Sequence, residues 1–233
     1  MVTIHRRTDN LPVGALLASV GGFLDAFTLV LFQVFANLQS GNVVLFWLQM
    51  TSWHWWAAAL RLVPIGAFVL GVLVVDLLGT PRLMRVVRRP LRLVVTIEIV
   101  LLAAVATLPA HAPVGLSTVT VAFVAALQFS TFTTLHDAPY ATVMTSGNLR
   151  QWIVATRRWL VDRDRTARQR SQQYGVIVGS FTVGAMIGVI CTRWLGQPAI
   201  AVAAGLLVVV LALLVRETRR LERRSAAAAA GTA

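Results

Sequence analysis

Long apolar runs constrain this chain more than any other feature of its sequence. Blocks of about 16 to 26 mostly apolar residues recur from end to end, the length a helix needs to cross a hydrocarbon core of roughly 30 Å. No water is available there to satisfy backbone N–H and C=O groups, so runs of this kind fold as helices. Charged residues make up 13% of the 233 residues, against about a quarter in a soluble domain. The expectation is an all-α, polytopic integral membrane protein. The longest polar stretch, 157–173, is too short to fold alone.

The full-length runs fall at 11–36, 57–78, 93–108, 114–135, 174–192 and 198–215, with two shorter pieces at 43–50 and 149–160. His5, Arg6 and Arg7 precede the first run as in a signal peptide. That run continues without a small-x-small cleavage site, so it reads as the first span. Trp53, His54, Trp55 and Trp56 form an interfacial aromatic belt before the next.

Net charge is +12, and all 21 basic residues are arginines. Their placement counts the spans. If the two short pieces do not cross, six spans remain. Nineteen of the 21 arginines then share the side of the N-terminus, with Arg61 and Arg193 opposite. If both short pieces cross, there are eight spans, and the arginines at 82–92 move outside. The positive-inside rule favours six full transmembrane helices plus two short half-helices, with eight as the alternative. Each half then holds three full spans, an odd number, so the halves point in opposite directions as an inverted repeat. The division is a cytoplasmic segment 1–10, repeats 11–108 and 114–215, and a cytoplasmic Arg/Ala-rich tail 216–233. Lipid, including anionic headgroups at the arginine loops, is the expected partner. No motif points to nucleic acid, and nothing fixes an oligomeric state.

The tripeptide Ser-Gly-Asn occurs twice, at Ser40-Gly41-Asn42 and Ser146-Gly147-Asn148. Both copies sit between apolar runs, where polar groups are costly unless used. Aligning the copies maps Gly22 onto Gln128 and Asp25 onto Thr131. Phe68-x-x-Gly71 matches Phe181-x-x-Gly184 at a slightly larger offset, because the second loop is longer. The serines are expected as N-caps. The glycines admit a close backbone or solute. The asparagines add amide donors and acceptors. A short helix starting inside the bilayer aims its positive end at the membrane interior, as in broken-helix carriers.

Asp25 is the sharpest single residue. Gly21, Asp25 and Thr28 share one helix face. A charged carboxylate facing lipid costs at least a few kcal/mol, so Asp25 is expected inside the bundle. It is either a proton or cation site, or a structural acceptor for Gln128 or Thr131. The candidate solute- or ion-binding set is Asp25, Ser40, Gly41, Asn42, Gln128, Thr131, Ser146, Gly147 and Asn148. Gly21, Gly22, Gly71, Gly184 and Gly188 are candidates for close helix packing. Glu98 is expected to pair near Arg92, Asp76 is read as structural beside Arg82, and His136 and Asp137 lie at a helix end where a gate could form. The single Cys191 leaves no internal disulfide, and four scattered histidines indicate no metal site. With no phosphate loop or protease motif, neither an enzyme nor a cofactor is expected.

The ordered set Gly21-Gly22-Phe23-Leu24-Asp25-Ala26, Ser40-Gly41-Asn42, Leu127-Gln128, Met144-Thr145-Ser146-Gly147-Asn148-Leu149 and Phe181-x-x-Gly184-Ala185-x-x-Gly188 resembles the YoaK-like family of bacterial membrane proteins. The likeness covers about residues 12 to 192. The family pattern has threonine where this chain has Ser40 and Ser146. It has Gly-Leu-Gln-Asn where this chain has Ala126-Leu127-Gln128-Phe129. The resemblance implies a bacterial inner (plasma) membrane location and a multi-pass helical fold, but no substrate. The functional expectation is a small-solute transporter, proton-coupled through Asp25, with its cavity at the repeat interface between Asp25 and the pair Gln128 and Thr131. The alternative is a non-transporting lipid-binding or assembly factor whose polar residues only lock helices together.

Overall fold

The computed structural model describes residues 10–87, 89–109, 112–135, 138–143 and 145–230. The N-terminal segment before Asn10, the gate candidates His136 and Asp137, and the chain's last three residues lie outside the described residues. The described residues form nine α-helices: α1 (Leu11–Phe32), α2 (Gln39–Thr51), α3 (Trp55–Leu78), α4 (Pro81–Val86), α5 (Pro90–Ala106), α6 (Val114–Thr131), α7 (Thr145–Val161), α8 (Arg165–Leu195) and α9 (Ile200–Ala230). Two-residue strands, β1 (Thr134–Leu135) and β2 (Ala138–Pro139), pair antiparallel between α6 and α7. The chain is an all-α membrane protein. Helices covering Leu11–Phe32, Trp55–Leu78, Arg165–Leu195 and Gln197–Arg220 are long and apolar enough to cross a bilayer. At 17 and 18 residues, α5 and α6 are shorter.

Helix α1 is the central element. Val13, Leu17, Val20, Phe23, Leu24 and Phe27 are all fully buried. By contrast α3 and α8 turn Leu70, Leu73, Val183, Met186 and Ile190 outward, which suits a lipid-facing surface. The principal contacts are α1 on α8, α3 on α6, α2 on α3, α7 on α8, α1 on α9, α5 on α6 and α5 on α9. This pattern is unchanged when α1, α2, α3 and α5 are exchanged for α6, α7, α8 and α9.

Two element ends differ from the sequence reading. The first run extends to residue 36, but α1 stops at Phe32, and Gln33 takes a left-handed conformation (φ 57°). The guanidinium of Arg61 reaches from α3 to donate to the carbonyls of Phe32, at 3.0 Å, and Gln33. These bonds, with that of Gln33 N–H to the carbonyl of Leu29, satisfy carbonyls that the helix end would otherwise leave bare. At the other end of the chain, α9 continues through the arginine-rich tail to Ala230. Alanine has the highest helix propensity, and Arg89 holds the extension by a 2.8 Å ion pair with Glu222.

Candidate functional site

The two Ser-Gly-Asn copies sit in the first turns of α2 and α7. The serines do not cap these helices. Leu38 occupies the N-cap of α2 and makes no side-chain cap bond, and Ser40 and Ser146 lie inside their helices. The asparagines take over the task at longer range. Asn42 Oδ1 accepts from the N–H of Phe35 (2.9 Å), and its Nδ2 donates to the carbonyl of the same residue (2.8 Å). Asn148 Oδ1 accepts from the N–H of Ala141 (3.2 Å), and its Nδ2 donates to that carbonyl (2.6 Å). Each amide thus holds the backbone seven residues before it. Only a primary amide offers donor and acceptor side by side for this purpose. Both asparagines are buried, so the linkers before α2 and α7 dip into the protein with their polar backbone satisfied.

A second pair of bonds also matches between the halves. Arg61 on α3 donates to the carbonyl of Gln33, and Tyr174 on α8 donates to that of Pro139 at 2.8 Å. The acceptors are 106 residues apart, the tripeptide spacing. The donors are 113 apart, the spacing of Gly71 and Gly184.

The linkers meet on α1 beside Asp25. Asn37 N–H donates to Asp25 Oδ1 (2.8 Å), and its side-chain amide donates to the carbonyl of Gly21 (2.9 Å). The second linker crosses the same turn. A Cβ on Gly21 would stand 2.7 Å from the carbonyl oxygen of Thr142 and 3.0 Å from Val143 Cα. A cavity of about 410 Å³ opens where these pieces converge. Asp25 and Leu29 of α1, Phe35 and Leu38 of the first linker, Val143 of the second, Thr145 and Ser146 at the start of α7, and Phe181 and Ala185 of α8 line it. The lining is apolar except for the Asp25 carboxylate and the hydroxyls of Thr145 and Ser146. The Thr145 hydroxyl oxygen is buried without a hydrogen-bond partner among the described residues. The start of α7 thus forms one edge of this space, with Ser146 exposed and the Thr145 hydroxyl turned into the protein.

The remaining candidates are distributed as follows. Gln128 is fully buried, and its Nε2 donates to the carbonyl of Leu17 at 2.9 Å. Thr131 is buried as the last residue of α6. Neither lines the cavity, so the space opens toward α7 and α8 instead of between Asp25 and Gln128. Asp25's acceptor role goes to Asn37 of its own half. Gly41 packs against the side chains of Phe35 and Leu38, whereas Gly147 has open space around it. A Cβ on Gly22 would meet the carbonyl of Phe181, and one on Gly184 the carbonyl of Ser19. Gly188 packs on Phe23 and Ala26, and Gly71 on Ala126. Glu98 is buried inside the bundle with neither carboxylate oxygen hydrogen-bonded among the described residues. It does not reach Arg92, which instead donates to the carbonyl of Leu214. No group of three His, Cys, Asp or Glu suited to a metal ion occurs among the described residues.

Residues 13–213 match a protein family described as "Protein of unknown function (DUF1275)". The chain belongs to this family. The YoaK-like resemblance carried by the motifs agrees with that assignment. No curated protein and no solved structure matches the chain. Sequence reading of this DUF1275 chain passed over Asn37 and Thr145. Asn37 has no counterpart in the second half, where Val143 stands, so the repeat gave no sign of it. Thr145 lies beside the second tripeptide, and only the lost hydrogen bond singles it out.

Proposed function

We propose that this protein carries a small solute across the membrane through the cavity beside Asp25. The observation that carries the reading is the convergence of Asp25, both linkers and the start of α7 on one space of about 410 Å³. That volume lies in the range of small-molecule sites. The mostly apolar wall favours a solute with an apolar body and one polar head. The carboxylate and the Ser146 hydroxyl would orient that head. Asp25 is the group that would couple transport to protons or another cation.

The proposed architecture is six full spans and two half-helices in an inverted repeat, with both termini on the cytoplasmic side of a bacterial inner membrane. The helix-pairing pattern, the twin asparagine clamps and the Arg61 and Tyr174 bonds support an internal repeat. The arginine distribution supports its orientation. Helix α2 spans 13 residues, roughly 20 Å of rise, which is too short to cross.

The test is an uptake screen in proteoliposomes with an imposed pH gradient, comparing the native chain with Asp25→Asn. Proton-coupled uptake of at least one solute is expected, falling at least about tenfold (~1.4 kcal/mol) in the variant. Flux that is absent for every solute would favour a lipid-binding or assembly role. Equal flux in both proteins would remove Asp25 from the mechanism.

A further inference from the structure

A second cavity, of about 280 Å³, lies between α7 and α8 and shares no lining residue with the first. Gln151, Ala155 and Arg158 present one face of α7 to it. Ala167, Arg170 and Tyr174 present one face of α8. The two helices are locked deeper in the pair, where the hydroxyls of Thr156 and Ser171 lie 2.7 Å apart and Gly175 packs on the indole of Trp152. The crevice opens at the arginine-rich start of α8, where the polar stretch gives way to the apolar span.

Its charge is not neutralised. Among the described residues neither Arg158 nor Arg170 takes part in an ion pair. Asp164 also reaches the crevice, but its Oδ1 accepts from Thr166 N–H at 2.8 Å as the N-cap of α8. Two guanidinium groups thus face one carboxylate that is already bonded. The fold does not require these arginines. By the spacings that relate the two halves, Arg158 corresponds to Ser52 and Arg170 to Ala57, and the first half pairs α2 with α3 without them.

We infer that this crevice binds a phosphate group, holding it between Arg158 and Arg170. Guanidinium forks match phosphate oxygens in bidentate fashion. A basic crevice between helices at the edge of an apolar span sits where anionic headgroups lie. An anionic phospholipid headgroup and a soluble phosphate ester share this chemistry.

The test uses the full chain in detergent with phosphatidylcholine and a minor fraction of phosphatidylglycerol, read by native mass spectrometry. A second arm adds inorganic phosphate and follows thermal melting. Retention of phosphatidylglycerol is expected for the native chain, falling at least about tenfold in Arg158→Gln/Arg170→Gln. The control Arg216→Gln/Arg219→Gln, in the tail, should retain it. Lipid that inorganic phosphate displaces, with a matching rise in melting temperature, identifies a soluble ligand. Lipid that phosphate leaves in place identifies the headgroup. Equal retention in native and variant chains, or an equal loss in the tail control, overturns the proposal. So does the joint failure of lipid retention and phosphate-induced stabilisation. Both arginines are exposed, so glutamine should not unfold the chain. Single Arg170→Gln, expected to show a partial loss, provides a milder check.

Discussion

At the scale of residues, the asparagines of the two tripeptides are the clearest case of sequence stating structure. Each satisfies both backbone groups of a half-buried residue seven positions earlier. Replacing either by alanine leaves a partly buried N–H and C=O without that partner, at up to about 1–3 kcal/mol for each group. Asn42→Ala and Asn148→Ala should therefore lower the melting temperature in detergent by similar amounts. A large loss in one and none in the other would break the equivalence of the clamps. Asn42→Asp should not rescue, because a carboxylate cannot donate to the carbonyl of Phe35. The repetition of Ser-Gly-Asn made these positions legible. It did not reveal which of the three residues does the work, since a serine at a helix start is as good a cap on paper as an asparagine reaching backward. In the sequence Arg61 had only a place in the arginine count; its side chain also holds the end of α1. Arg61→Ala should destabilise by about 1.5–3 kcal/mol, the range for a charged hydrogen bond. Tyr174→Phe, which removes only a neutral hydroxyl, should cost about 1 kcal/mol. A circular dichroism melt of the two variants checks the order.

At the scale of elements, the contact of α1 with α8 holds the cavity wall in place. Small residues bring the two backbones together: Gly22 lies against the carbonyl of Phe181, and Gly184 against that of Ser19. Small-xxx-small spacing replaces a hydrophobic driving force that lipid cannot supply. A leucine at Gly184 must push the helices apart. Overpacking of this kind costs about 1–3 kcal/mol or more, so Gly184→Leu should abolish most folded protein on size exclusion. Gly179 is on the same helix with open space where a Cβ would go, and Gly179→Leu should leave the elution profile unchanged. The Phe-x-x-Gly match had singled out Gly184 and not Gly179, and the neighbour across the interface is what separates them in space. Helix positions were legible for the same reason that the bilayer is a strict solvent: apolar length fixes them. The ends were not. The first run is apolar through residue 36, yet α1 stops at Phe32, because a partner on α3 can hold the freed carbonyls. That early break creates the linker carrying Asn37 to Asp25, and with it one wall of the cavity.

At the scale of the whole molecule, the halves agree in how helices pair and differ where the chemistry lies. Asp25 sits within α1, but its counterpart Thr131 is the last residue of α6. Asn37, which bonds Asp25, corresponds to Val143. A fold needs the shared features. Asp25, Asn37, Arg158 and Arg170 each occur in one half only, opposite Thr131, Val143, Ser52 and Ala57. The sequence showed the repeat through residues whose packing or backbone role tolerates few substitutes. It could not show that the cavity opens toward the start of α7, since that follows from two linkers crossing one turn of α1. If the halves are inverted, the loop after α3 and the end of α2 lie on opposite sides of the membrane. In a Cys191→Ser background, single cysteines at Leu83 and Ser52, both exposed positions, test this with a membrane-impermeant thiol reagent on intact cells. Ser52→Cys should label from outside. Leu83→Cys should then label only after the membrane is opened, since arginine-rich loops favour the inside. Labelling of both from the same side would mean that α3 does not cross between them. The inverted repeat would then fail, and with it the orientation proposed for the cavity.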